Sequence, residues 1–361
     1  MSHHSTAGCP EPELHTQVEF ATSQPQQGSP VTEFRRQPAR TFLRKFYNQR
    51  QRFPDGFETE IWSFEDGTSG RVFPAPAIRA REGEIVHVTL QPAKRSHTIH
   101  LHGMEPDPRN DGVGHTSFEV TGQYTYQFKP QPGAPGDPNR GAAGTYFYHC
   151  HVNTVLHVQM GMFGPMIIDP AVGRGTAFFD DPVGYDTRAE TLLVAYSVDP
   201  RWHAFSHAAG LAGEDVGLNR FEPTRFYLLG GNLDVPGLGS SAVKTVGDIL
   251  APQAGAARPG LLRVNNANYH PTRLTFLGGL KGEVFAHDGR PLRDTTPGGQ
   301  GRPLSALTDV LAFGAAERYD IRLRPPAGAR PGDTFGVRID WLQWVTGKVL
   351  GSRTARVVII A

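Results

Sequence analysis

Gly144-Thr145-Tyr146-Phe147-Tyr148-His149-Cys150-His151 is the stretch on which the reading of this chain turns. It alternates in the manner of a strand and is rich in aromatic residues, which suit a pleated, packed surface. A short apolar run, Pro165-Met166-Ile167-Ile168, follows and stops at Asp169-Pro170, which reads as a boundary. Upstream, residues 77–90 read as strand, Glu82-Gly83 turn and strand, and residues 97–102 and 124–128 alternate as well. A second cycle of short apolar or alternating runs begins near Glu190: residues 191–196, 225–229, 261–265, 274–277, 310–313, 319–323, 335–339 and 356–360. Short strands separated by Gly/Pro turns, twice over, imply an all-β chain of two stacked Greek-key β-sandwiches.

Composition agrees. The chain has 361 residues, which suits about two domains. Hydrophobic residues at 38% and charged ones at 20% give enough apolar mass for real cores and exclude a disordered chain. Gly 42 and Pro 30 punctuate it well above the average of roughly 12%. Lys+Arg 36 against Asp+Glu 35 leaves +1, so neither a nucleic acid nor a membrane partner is expected, and no run reaches the ~18 apolar residues of a spanning helix. Two cysteines, Cys9 and Cys150, exclude a disulfide framework. The expected division is an extended arm over 1–56, opened by Pro10, Pro12, Pro25, Pro30 and Pro38, then domains over 57–172 and 173–361. No apolar stretch follows Met1 or Arg35-Arg36, so no leader is expected here, and a periplasmic or extracellular protein would have lost one.

The chemistry lies in the first domain. His97, His100, His102, His149, Cys150, His151, His157 and Met162 fall within one short region. Side chains of a strand alternate faces, so His100 and His102 point one way and His97 the other, while His149 and His151 share a face that Cys150 does not. His97 and Cys150 therefore sort together and gain His157 and Met162 from the loop that follows, as Cys-x6-His-x4-Met. Two imidazoles, a thiolate and a thioether are the ligand set of a blue-copper electron-transfer site. Met160 is the rival for the axial position, and zinc, which usually recruits further cysteines, is the rival metal. The remaining four histidines carry no thiolate and suit additional copper. Cys150 lies between two of them, giving an electron a short covalent route from one group to the other.

On these residues the chain resembles the multicopper oxidases and the related copper nitrite reductases, all built from cupredoxin domains. His97-Thr98-Ile99-His100-Leu101-His102-Gly103, and residues 144–151 continued to Gly161-Met162-Phe163-Gly164, are similar to the two oxidase segments that supply copper ligands. The resemblance implies type 1 copper on His97, Cys150, His157 and Met162, type 2 copper on His100, and type 3 copper on His102, His149 and His151. Pro76 to Gly83, Asn110-Asp111-Gly112-Val113, Arg263 to Ala267 and Glu317 to Ile321 extend it over most of the chain past residue 60.

The second domain departs from the pattern. Arg273 and Thr275 stand where a His-x-His pair is expected, and Arg338, Ile339 and Asp340 where His-Cys-His would fall. An Arg273–Asp340 ion pair filling an abandoned site is the expectation. His115, His203, His207, His270 and His287 are the other histidines weighed as replacements, and so is a symmetric oligomer that pools ligands. The resemblance implies an oxidase of the laccase type, taking electrons from a small-molecule or metal-ion reductant and passing them to dioxygen, in a homo-oligomer with a trimer favoured. An electron carrier keeping only the blue site, and a nitrite-reductase-like enzyme, are the alternatives.

Overall fold

A computed structural model describes residues 36–92, 94–104, 106, 108–114, 117–135, 141–233 and 243–361. The N-terminal half holds β1 (Arg40–Arg52), β2 (Glu58–Glu65), β3 (Ile78–Arg81), β4 (Val86–Gln91), β5 (His100–His102), β6 (Tyr124–Phe128), β7 (Gly144–His149) and β8 (Phe163–Asp169), with the helix α1 (Thr154–Met160) between the last two. The C-terminal half holds β9 (Glu190–Val198), β10 (Arg225–Asn232), β11 (Ile249–Pro252), β12 (Gly260–Asn266), β13 (Thr272–Leu277), β14 (Lys281–His287), β15 (Arg290–Pro291), β16 (Ala306–Thr308), β17 (Val310–Phe313), β18 (Arg318–Arg324), β19 (Thr334–Leu342) and β20 (Val349–Ile360). No helix among the described residues is long and apolar enough to cross a membrane.

The two halves repeat one topology. Sheets β2-β1-β4-β6 and β3-β8-β7-β5 in the first correspond to β10-β9-β12-β18 and β11-β20-β19-β13 in the second, which adds β14, β15, β16 and β17. In each half the parallel pairs fall at the same places, β1 with β4 and β3 with β8, then β9 with β12 and β11 with β20. By this correspondence β5 and β7, which pair His100 with His149, match β13 and β19, which pair Arg273 with Asp340.

Strand parity explains how the halves adhere. Every residue of β9 is buried. Leu193 and Ala195 enter the core of the C-terminal sandwich. Leu192, Val194, Tyr196 and Val198 point the other way and pack with Phe53, Ile61, Phe73, Phe147 and Phe163 of the first half. Strand β7 does the reciprocal thing. Tyr146 and Tyr148 join the N-terminal core together with Cys150, while Phe147 faces the second half and Thr145 donates to Asp320. Strands buried on both faces lose the apolar/polar alternation of a half-exposed sheet.

Two expectations need correction. Residues 40–52, assigned to the arm, are strand β1, antiparallel to β2 and parallel to β4; the remainder of the arm, residues 1–35, lies outside the described residues. Charge at core positions hides this strand. Arg44 is only 1% exposed, donates to the Tyr148 hydroxyl at 2.7 Å and reaches the Pro76 and Ala77 carbonyls at 2.8 and 3.1 Å. The expected loop that carries His157 is the helix α1. Gly161, at φ 109, closes it in the left-handed region, and the Met162 amide returns to the His157 carbonyl at 2.9 Å, a glycine stop that satisfies the last carbonyls.

Candidate metal centre

Residues 144–151 sort the donors. The core-facing row ends on Cys150, and its opposite row brings His149 to the boundary between the halves. Strand β5 adds His100 and His102 beside His149, with His100 and His149 directly paired. His97 sits just before β5, held by mutual backbone bonds with Val120. Helix α1 carries His157 back onto Cys150.

The first group is closed and dry. His97, Cys150 and His157 are each 0% exposed. Cys150 Sγ lies 3.6 Å from His97 Nδ1 and 3.3 Å from His157 Nδ1. With bonds of about 2.3 Å to sulfur and about 2.0 Å to nitrogen, as first-row metals make, an ion fits between three donors so spaced. Burial lowers the pKa of His97 far below the ordinary imidazole range and that of His157 to about 3, so both rings are neutral donors. Burial also pushes the Cys150 thiol up to about 12; a metal that binds there must displace its proton. Met162 is buried in the same core, its carbonyl accepting the Cys150 amide at 3.0 Å. Met160 is equally buried on α1. Phe46 stacks on His97 at 4.4 Å and Trp62 meets His157 edge-on at 5.6 Å.

The second group lies on the other face of the same strand. Ligand atoms of His100, His102 and His149 all fall within 4.8 Å of one another, and the ring of His151 is 5.3 Å from that of His100. Backbone acceptors orient two of the rings. His100 Nδ1 is 2.7 Å from the Asp111 carbonyl and His149 Nδ1 is 2.9 Å from that of Cys150, as outer-shell partners of histidine ligands are placed, and His149 Nε2 stands 3.1 Å from His102 Nδ1. His102 stacks on Phe147 at 4.5 Å. Its pKa falls to about 3, by burial first and then by the charge of Arg318.

The four rings line a cavity of about 200 Å³. The second half contributes Asn266, Ala267, Asn268, Tyr269, Ala315 and Ala316 to that cavity, with no histidine among them. The positions that match the histidines of the first half are occupied otherwise. Arg273 donates to Asp340 at 2.8 Å, Ser352 donates to the other carboxylate oxygen at 2.6 Å, and Arg338 lies 3.3 Å away. The expected ion pair is there, and Asp340 has no place at the cavity.

Of the other histidines weighed, His115 lies outside the described residues. His203 is buried and donates to the Glu60 carbonyl at 2.7 Å. His270 packs on Phe221, and His287 stacks on Tyr319 at 4.5 Å. His207, weighed as a ligand of the second group, stands on the first one instead, its ring 4.2 Å from that of His157. Nothing in its sequence neighbourhood marks that position. Arg318 was likewise passed over: it is 3% exposed, bonded to the Ala316 carbonyl at 2.7 Å, with its guanidinium 5.7 Å from the centre of the Phe147 ring.

Parts of the chain are similar to known proteins. Residues 49–172 match the family model described as multicopper oxidase. The L-ascorbate oxidase of Cucumis sativus is 31% identical over 156 residues, covering 41% of this chain and 22% of that protein. The multicopper oxidase MmcO of Mycobacterium tuberculosis is 25% identical over 284 residues, covering 73% of this chain and 49% of that one. This chain thus spans less than half the length of either relative. Among solved structures, the blue copper oxidase from Nitrosomonas europaea superimposes with a TM-score of 0.58 at 22% identity, covering 89% of this chain and 86% of that one. The cupredoxin fold is shared, and the resemblance read from the ligand segments stands for the first half.

Proposed function

We propose that this chain is a copper-dependent oxidoreductase of the multicopper oxidase type. In this reading His97, Cys150, His157 and Met162 would hold type 1 copper, and His100, His102, His149 and His151 would hold one or more further coppers. Bound copper would supply one-electron chemistry at the first group and activation of an oxygen ligand at the second. A small-molecule or metal-ion reductant is the electron source and dioxygen the acceptor. A homo-oligomer, with a trimer favoured, belongs to the same reading.

One observation carries it. Cys150 belongs to the closed group while its own carbonyl accepts from His149 of the open one at 2.9 Å, so two donor sets of different softness share one stretch of backbone. A structural metal has no use for that arrangement. The chain's own residues then divide the work. Phe46 and Trp62 keep water from the thiolate. The Asp111 carbonyl fixes the tautomer and rotation of His100, and that of Cys150 does so for His149. Arg318, itself paired with Asp288 at 3.0 Å, lies close enough to His102 to help keep that ring neutral.

A second reading, an electron carrier with only the blue site, is supported by the amides and Tyr269 that face the four imidazoles from the second half. Spin-integrated EPR of copper-loaded protein, set against total copper per chain, separates the two. Copper in clear excess of the visible spins, with oxygen consumed on addition of a reductant, supports the oxidase. One blue signal accounting for all the copper overturns it in favour of the carrier.

A further inference from the structure

The outer edge of the first group is covered by a segment from the C-terminal half. His207 lies with its ring 4.2 Å from that of His157, 4.9 Å from that of His97 and 5.8 Å from that of Trp62. Its carbonyl stands 3.4 Å from His157 Nε2, the nitrogen turned away from Cys150. The segment is clamped on both sides of that contact. Asn153, next to α1, donates its side-chain amide to the Ala209 carbonyl at 2.8 Å and to that of His207 at 3.4 Å. Upstream, His203 is bound to the Glu60 carbonyl at 2.7 Å and lies 3.2 Å from the Gln159 amide of α1. His207 itself is half-buried, whereas His97 and His157 are fully buried. A reductant approaching from solvent on this side meets the His207 ring before either ligand.

We propose that His207 is the specificity-determining residue for reductant entry at the Cys150 group, admitting flat donors that stack against its ring and holding bulky ones a ring's thickness further out. This rests on the reading of that group as a one-electron copper site. With copper bound the step would be outer-sphere: a hydroquinone-class donor gives one electron, becoming the neutral radical as its hydroxyl proton passes to solvent water, and Cu(II) in the group would become Cu(I). No bond is made or broken at His207. Donor-to-ligand distance is the variable the cover controls, and electron transfer falls steeply with distance.

The test compares His207→Ala, His207→Phe and Asn153→Gly with the wild-type chain. Glycine at 153 tolerates the left-handed backbone there, φ 43, and removes only the clamp. Anaerobic bleaching of the blue band is timed with hydroquinone and with its 2,6-di-tert-butyl derivative. With the band itself unmoved, His207→Ala and Asn153→Gly speed the bulky donor by at least about tenfold and the flat one by less than about threefold, while His207→Phe keeps the wild-type ratio, as removal or retention of a gating group requires. A second readout uses the copper-free full chain with Cys9→Ser: the Cys150 thiol reacts at least about tenfold faster with an aromatic disulfide in His207→Ala, and no faster in His207→Phe. An intact blue band with wild-type donor ratios and thiol rates in both opened variants overturns the proposal. A wild-type chain that binds copper without a blue band overturns the reading of the group itself.

Discussion

Replacing Arg263 by methionine tests how far a buried charge at the seam holds the second half together, since its acidic partners Glu190 and Asp320 both belong to that half and only the Thr145 hydroxyl lies across. Arg263 is 1% exposed on β12. Its Nε donates to Glu190 at 2.8 Å, and its Nη1 donates to Thr145 of the first half at 3.0 Å and to Asp320 at 3.3 Å. Glu190 keeps two other cations, Arg174 at 2.7 Å and Arg79 at 3.1 Å. Asp320 is 2% exposed and keeps the Thr145 hydroxyl as a donor. Removing one member of a buried pair costs about 3–5 kcal/mol, and most of that falls on Asp320. Arg263→Met therefore loses about 4 kcal/mol, a drop of about 8–16 °C in the melting temperature at 2–4 °C per kcal/mol for a domain of this size. The companion Arg263→Met/Asp320→Asn removes the stranded charge and recovers roughly half of the loss. Urea titration followed by near-ultraviolet circular dichroism measures both. A loss below about 1 kcal/mol in the single variant, or no recovery in the double, refutes the argument that Asp320 depends on this arginine.

The two donor groups separate by mutation because they occupy opposite faces of one strand: Cys150→Ser abolishes the blue absorption and about one copper per chain, while His149→Ala keeps the band and empties the cavity, as metal analysis and visible spectra will report. Gly112→Ala is disruptive at a distance. At φ +72 its Cβ would stand 2.0 Å from the Ile99 carbonyl oxygen, so the turn must shift and carry the Asp111 carbonyl away from His100; copper affinity of that group, read by chelator competition, falls about 10–100-fold. Acid acts through Glu190. Burial alone would raise its pKa, but Arg263, Arg79 and the bond from Arg174 prevail and hold it at about 2. Its folded pKa being the lower one, the contribution to stability is complete above the ordinary carboxylate range near pH 4.5 and drains away as pH falls through 2. Glu190→Gln should flatten that part of the stability–pH curve measured on copper-free protein.

The donor groups were legible because both of their causes are local. A strand's period of two fixes which of 149, 150 and 151 share a face, and ligand chemistry fixes which metal suits each set. The ion pair at Arg273 and Asp340 was legible for a related reason: a repeated topology aligns β13 and β19 with β5 and β7, so a missing histidine has a definable address. Strand β1 was not legible, since a buried arginine bonded to Tyr148 and two carbonyls looks, in sequence, like a solvated one. The position of His207 was invisible for a deeper reason. It depends on how a segment of one sandwich crosses the other, and the bonds that hold it, from Asn153 and Glu60, join residues far apart in the chain. Helix α1 was hidden by its Val155 and Val158, which argue for strand; the glycine stop at 161 outweighs them.

The division of labour along residues 144–151 makes the strand's reading frame part of the chemistry. Deleting one residue between Gly144 and Tyr148 would not merely shorten β7. It would exchange the two faces, aiming the thiol into the cavity and driving imidazoles into the tyrosine-lined core. The two groups are therefore bound to one reading frame: substitutions can remove either of them, but no small insertion can tune their spacing.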